Sequence, residues 1–164
     1  MLLLKVFRAF NKSRVRYLVV GGVASVLYGN PRFTKDLDLW VDPEEGNLKR
    51  LIRVFKSLKF VPRNPVKAEE FIGEKNRKRW KKEKGMLAFT FINPKNPFEN
   101  IDLLFEGPVL FEAAYRRKKS FKSGGVLIPT ISKNNLITMK QKAGRVQDLQ
   151  DVEILKAAGK TEKQ

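Results

Sequence analysis

Apolar side chains at Leu2, Leu3, Val6, Ala9 and Phe10 recur three and four residues apart, which predicts an amphipathic helix that covers a sheet. Tyr17-Leu18-Val19-Val20 is rich in strand formers and stops at Gly21-Gly22, so it reads as a short buried strand. Val23 to Tyr28 predicts a short helix closed by Gly29-Asn30-Pro31. From Asp36 to Asp42 acids alternate with apolar residues, the pattern of a strand with Leu37, Leu39 and Val41 turned to the core. A helix follows from about Pro43 to Leu58, started by Asp42 as cap and Pro43 as first residue. Pro62 to Gly85 fits either a loop or a ragged helix. Met86 to Ile92 and Asn100 to Phe105 predict strands separated by a Pro94 to Pro97 turn, and Val126 to Ile131 a fifth. Asn134 to about Ala158 reads as helical with a break at Gly144. The order predicts an α+β (mixed α/β) domain, a small mixed sheet flanked by helices. Residues 1–159 are expected to form one domain, with C-terminal helices from about 134 and a frayed tail over 160–164.

Composition narrows the chemistry. The chain has 164 residues and neither cysteine nor histidine. That excludes disulfides, Cys/His zinc sites, thiol nucleophiles and serine-histidine triads. Carboxylates, Lys, Arg, Ser/Thr or Tyr must do any catalysis. With 34 bases against 17 acids the formal charge is +17, a field that attracts RNA, DNA or phosphate-rich ligands. A solvated lysine-rich surface would carry the same number. No apolar run reaches membrane-spanning length, so a cytoplasmic protein without a membrane partner is expected.

Against this basic background, Asp36 to Leu48 holds five acids and no base. Asp42, Glu44 and Glu45 are explained by the helix start. Asp36 and Asp38 are not. Two apart on a strand, they share a face with α-carbons roughly 6.6 Å apart, a spacing that suits a hard cation such as Mg²⁺ (or Mn²⁺). Asp102, within Ile101-Asp102-Leu103-Leu104-Phe105, is the natural third acid, as metal ligand or as general base. Gly21-Gly22 joins a strand to a helix, where bare backbone can approach a triphosphate.

These residues in this order resemble the nucleotidyltransferase superfamily: a Gly-Gly turn, then Asp36-Leu37-Asp38, then an acid on a later strand. More narrowly, the tail from Leu136 to Asp151 looks like minimal bacterial and archaeal members related to AbiEii-type toxins. The resemblance implies a nucleotidyltransferase-like fold and transfer of a nucleoside monophosphate from a nucleoside triphosphate to a hydroxyl of RNA (tRNA included) or protein. It implies a site in which Asp36, Asp38 and Asp102 hold the metal and do the catalysis. Gly21, Gly22, Arg32, Thr34 and Lys140 would bind the nucleotide. Lys140 matches a phosphate-contacting lysine, and its place on the apolar side of its helix independently calls for an anion. Lys142 competes for that role, and Arg145, Asp148 and Asp151 are candidates for an ion-pair and capping cluster. The basic run Arg77, Lys78, Arg79, Lys81 and Lys82 around Trp80 would receive RNA by phosphate contacts and base stacking, or else be a mobile loop. An antitoxin partner belongs to the same resemblance, and a non-catalytic nucleotide- or RNA-binding module is the competing reading.

Overall fold

A computed structural model of the chain describes residues 2–161, with side chains from 3 to 158. The elements follow in the order α1 (Leu2–Lys12), β1 (Tyr17–Val20), α2 (Gly21–Leu27), β2 (Leu37–Val41), α3 (Glu45–Ser57), β3 (Val61–Pro62), a 3₁₀ turn (Ala68–Ile72) and α4 (Glu74–Lys84). Then come β4 (Ala88–Asn93), β5 (Asn96–Leu104), α5 (Phe111–Arg116), β6 (Lys119–Ser123), β7 (Val126–Thr130), α6 (Lys133–Ala143) and α7 (Val146–Thr161). The strands form one 7-stranded sheet in the order β3-β4-β5-β2-β1-β7-β6. β2 runs parallel to β5 and β1 parallel to β7, while the other neighbours are antiparallel.

The central strand β2 is covered on both faces, so its alternation does not separate core from solvent. Leu39 pairs laterally with Leu103 and Leu103 with Phe89, placing these three on one face. There Phe55 of α3 stacks on Phe91 at 4.4 Å, Phe10 of α1 meets Phe55 edge-on, and Trp80 of α4 stacks on Phe89 at 5.0 Å. Trp40 points to the other face and is also buried, packed edge-on against Phe111 of α5.

Several expectations are corrected. Asp42 does not cap α3: Glu44 does, accepting from the amides of Gly46 and Asn47, while Asp42 binds Arg16 at 2.6 Å. Pro62 to Gly85 is largely ordered, because Trp80 anchors α4 beneath the sheet. Pro97 lies inside β5, leaving Pro94-Lys95 as the turn. The polar strand β6 and the two-residue β3 at the sheet edges carry too little apolar signal to be read from periodicity. α7 continues past Gly159 to Thr161, and residues 162–164 of the expected frayed tail lie outside the described residues.

Candidate active site

The sheet assembles the acids by register. Val20 of β1 stands opposite Asp38 of β2, Asp38 beside Asp102 of β5, and Asp102 opposite Thr90 of β4. Paired residues share a face, so one lateral row carries both carboxylates on strands about 4.8 Å apart. The Thr90 hydroxyl donates to Asp102 Oδ1 at 2.5 Å, fixing that carboxylate's orientation. Asp36 lies one residue ahead of β2, and its side chain is exposed.

Burial, with the like charges of Asp102 and Asp36 added, pushes the Asp38 carboxyl up to about 7; Lys140 and Arg145 pull it back only in part. Among the described residues, no lysine or arginine forms an ion pair with Asp36, Asp38 or Asp102. Nor do any three acids there converge into one group able to hold an ion by themselves. A cation at Asp38 and Asp102 would therefore draw its remaining ligands from substrate phosphate and water, as Mg²⁺ ordinarily does. The donor set fits such an ion: two hard oxygen ligands side by side, mutually repelling, and lacking a positive partner.

The glycines close over this row. Gly21 has φ +64°, and a Cβ there would fall 2.1 Å from Asp38 Oδ2. A Cβ on Gly22 would fall 2.5 Å from Thr34 Oγ1 and 2.8 Å from Arg32 Nη2. The structure thus brings Gly21, Gly22, Arg32, Thr34 and Asp38 into one neighbourhood. No side chain caps the start of α2, and Arg32 Nε is buried with no hydrogen-bond partner. Both features leave donors for an anion.

Lys140 meets an anion of the protein's own. Its Nζ donates to Asp151 Oδ2 at 2.6 Å and lies 3.8 Å from Asp148 Oδ1. Asp151 also accepts from Asn30 at 2.8 Å and Gln147 at 3.2 Å, and pairs with Arg32 at 3.1 Å. Burial raises the Asp151 carboxyl, but Lys140, Gln147 and Arg32 outweigh it and hold it below the usual range. Arg145 donates through its amide and Nε to Asp148, so the cluster expected after Gly144 forms, with Gly144 at φ +66° closing α6. Lys142 is exposed. Sequence reasoning missed Asn30 and Gln147 as members of this network. The one available signal was that Asn30 is a polar residue at the turn leading to Arg32.

Trp80 is 4% exposed and stacked on Phe89, so it offers no face to a base. Its helix packs on the side of β4 opposite Thr90, across the sheet from the carboxylate row. Among the described residues no helix is long and apolar enough to cross a membrane.

Neither a family model nor a curated protein matches the sequence. Solved structures do. The lincomycin-bound lincosamide antibiotic adenylyltransferase LnuA is similar with a TM-score of 0.61 at 15% identity, over 95% of each chain. ANT(2″)-Ia in complex with adenylyl-2″-tobramycin gives 0.63 at 14% identity, over 99% of this chain and 90% of that one. An antigenic nucleotidyltransferase-like protein from Paracoccidioides brasiliensis gives 0.57 at 15% identity, over 94% and 73%. With the Gly-Gly turn and the paired strand acids in place, these likenesses show that the chain has the nucleotidyltransferase fold.

Proposed function

We propose that the chain is a metal-dependent nucleotidyltransferase that moves a nucleoside monophosphate from a nucleoside triphosphate to a hydroxyl of RNA, tRNA included. The observation that carries this reading is the carboxylate row. In a chain with twice as many bases as acids, Asp38 and Asp102 stand side by side with no lysine or arginine ion-paired to either among the described residues, under a glycine turn that only bare backbone can form. Asp38 and Asp102 would hold Mg²⁺ or Mn²⁺, with Asp36 adding negative field. The ion supplies charge neutralisation for phosphoryl transfer. The amides at Gly21 and Gly22, the unpartnered Arg32 Nε and Thr34 would seat the triphosphate. The acceptor oxygen bonds to the α-phosphorus, the bond from that phosphorus to the bridging α,β-oxygen breaks, and pyrophosphate leaves. The acceptor's proton passes to the Asp102 oxygen that Thr90 does not bind.

The adenylyltransferase neighbours act on small antibiotics, and tobramycin is a polycation. A chain of net charge +17 repels such an acceptor and attracts RNA, which supports RNA here. The likeness of the tail to AbiEii-type toxins supports an antitoxin as protein partner within the same reading. Incubation with each α-labelled nucleoside triphosphate, Mg²⁺ and total RNA tests the proposal against Asp38→Ala. Label should enter RNA with wild type alone and vanish with chelator. Nucleotide binding without any labelled product would replace the enzyme by a binding module, and label that survives Asp38→Ala would displace the metal site.

A further inference from the structure

A cavity of about 460 Å³ opens at the far end of α2, away from the glycine turn. Tyr28, Gly29, Arg117, Lys119, Phe121 and Lys133 lie on its wall, and no carboxylate does. Arg117, Lys119 and Lys133 enter no ion pair among the described residues. Glu112, the acid nearest to Arg117 in sequence, is engaged by Arg16 and Arg116.

The cations are held in place instead of trailing into solvent. Lys119 Nζ sits 5.6 Å from the Tyr28 ring and 5.0 Å from Phe121, and Lys133 Nζ sits 5.7 Å from Tyr28. Tyr28 is itself fixed, donating its hydroxyl to the Ile131 carbonyl at 2.8 Å and meeting Phe121 edge-on at 5.1 Å. Two ammonium groups are thus ordered on one aromatic corner, with a guanidinium across the same cavity. Such ring contacts are worth only about 0.5–1 kcal/mol each at exposed sites, so the mutual repulsion invites an anion. The backbone is open at Gly29, where φ is +96° and a Cβ would meet nothing within 4 Å.

We propose that this cavity is a phosphodiester-binding site for the acceptor RNA, an inference that rests on the RNA reading above. Its volume falls in the range of small-ligand pockets and admits a nucleotide unit, not only a phosphate. It lies about 10 Å along α2 from Gly21, by the rise of seven helical residues. An RNA whose end occupies the carboxylate row covers that distance in a few nucleotides. Of the run Arg116-Arg117-Lys118-Lys119, Arg117 and Lys119 line this cavity beside the edge strand β6, whereas α4 packs on Phe89 of β4 toward the opposite edge of the sheet.

The test measures binding of a labelled single-stranded RNA without nucleotide or metal. Wild type is compared with Arg117→Ala/Lys119→Ala/Lys133→Ala and with the α4 control Lys75→Ala/Lys82→Ala/Lys84→Ala, across salt from about 50 to 200 mM. The cavity variant should bind on the order of tenfold more weakly, with a log–log salt slope smaller by roughly 2, at about 0.7 per lost charge on a single strand. The α4 control should stay near wild type, and the charge-preserving Lys119→Arg/Lys133→Arg variant should retain binding. Equal losses in cavity and control variants overturn the site in favour of a diffuse field. RNA bound with unchanged slope overturns the cavity alone, whereas no RNA binding by wild type overturns the acceptor reading with it. Inorganic phosphate that binds the wild type but not the cavity variant, while RNA binds both equally, would assign the cavity to a free ion and overturn the proposal.

Discussion

Lys140 and Asp151 form a buried ion pair, Nζ to Oδ2 at 2.6 Å, with side chains 5% and 0% exposed. Asp151 at the same time holds Arg32, whose Nη2 would collide with any side chain at Gly22. The last helix therefore positions a residue of the glycine turn. Lys140 acts on the row through space, pulling the Asp38 carboxyl down against burial and its acidic neighbours.

Asp151→Asn should cost up to about 3 kcal/mol of stability, because it leaves the buried Lys140 with only the more distant Asp148 as an anionic partner. Its carboxyl is held below the unfolded value, so its contribution is complete above about pH 4 and is lost as pH falls through the folded pKa. Denaturant midpoints of wild type and variant should therefore converge in acid and separate above about pH 4.

Asp38→Asn should have the opposite sign. The folded carboxyl is raised to about 7, so its contribution is full below the unfolded value and declines as pH rises through 7. At pH 8 and without metal, the variant should be more stable than wild type by roughly 2–4 kcal/mol, while transferring no nucleotide. Thermal melts at pH 3, pH 5 and pH 8 would show the gain absent at the lowest pH, partial at pH 5 and largest at pH 8.

On the proposed function, Mg²⁺ bound at Asp38 would displace the same proton. Its affinity should climb as pH rises toward 7 and then level off, with proton uptake by buffer on binding near pH 6.5. Calorimetry in two buffers of different ionisation enthalpy measures the released proton directly. Chelator should return the melt to its metal-free position.

Gly21→Ala should lose triphosphate binding and about 1–2 kcal/mol of stability, since the residue sits at φ +64° and its methyl would overlap Asp38. Trp80→Ala should cost about 3–5 kcal/mol from the emptied space against Phe89, with nucleotide affinity at a permissive temperature unchanged. A Trp80 variant that weakened nucleotide binding would contradict the separation of α4 from the carboxylate row.

The central strands were legible because their residues are unambiguous: Tyr17 to Val20 before two glycines, and Asp38 set between Leu37 and Leu39. Trp40 was harder, since a strand buried on both faces hides one of them behind apparent alternation. Lys140 was recognisable as a lysine in need of an anion, but sequence does not say that Asp151 already answers it. Nor does it give the parallel pairing that puts Asp102 beside Asp38 across more than sixty residues. The cavity at Tyr28 stayed hidden because its three cations come from the end of α5, the start of β6 and the start of α6, positions that periodicity treats as polar filler.

The carboxylate row and its clamp span the chain from Gly21 to Asp151, which has a consequence for synthesis on the ribosome. A nascent chain can pair β2 with β5 once residue 104 has emerged, yet Arg32 stays unclamped until α7 clears the exit tunnel. The proposed nucleotide site is thereby completed only after Asp151 has emerged, well behind its paired acids.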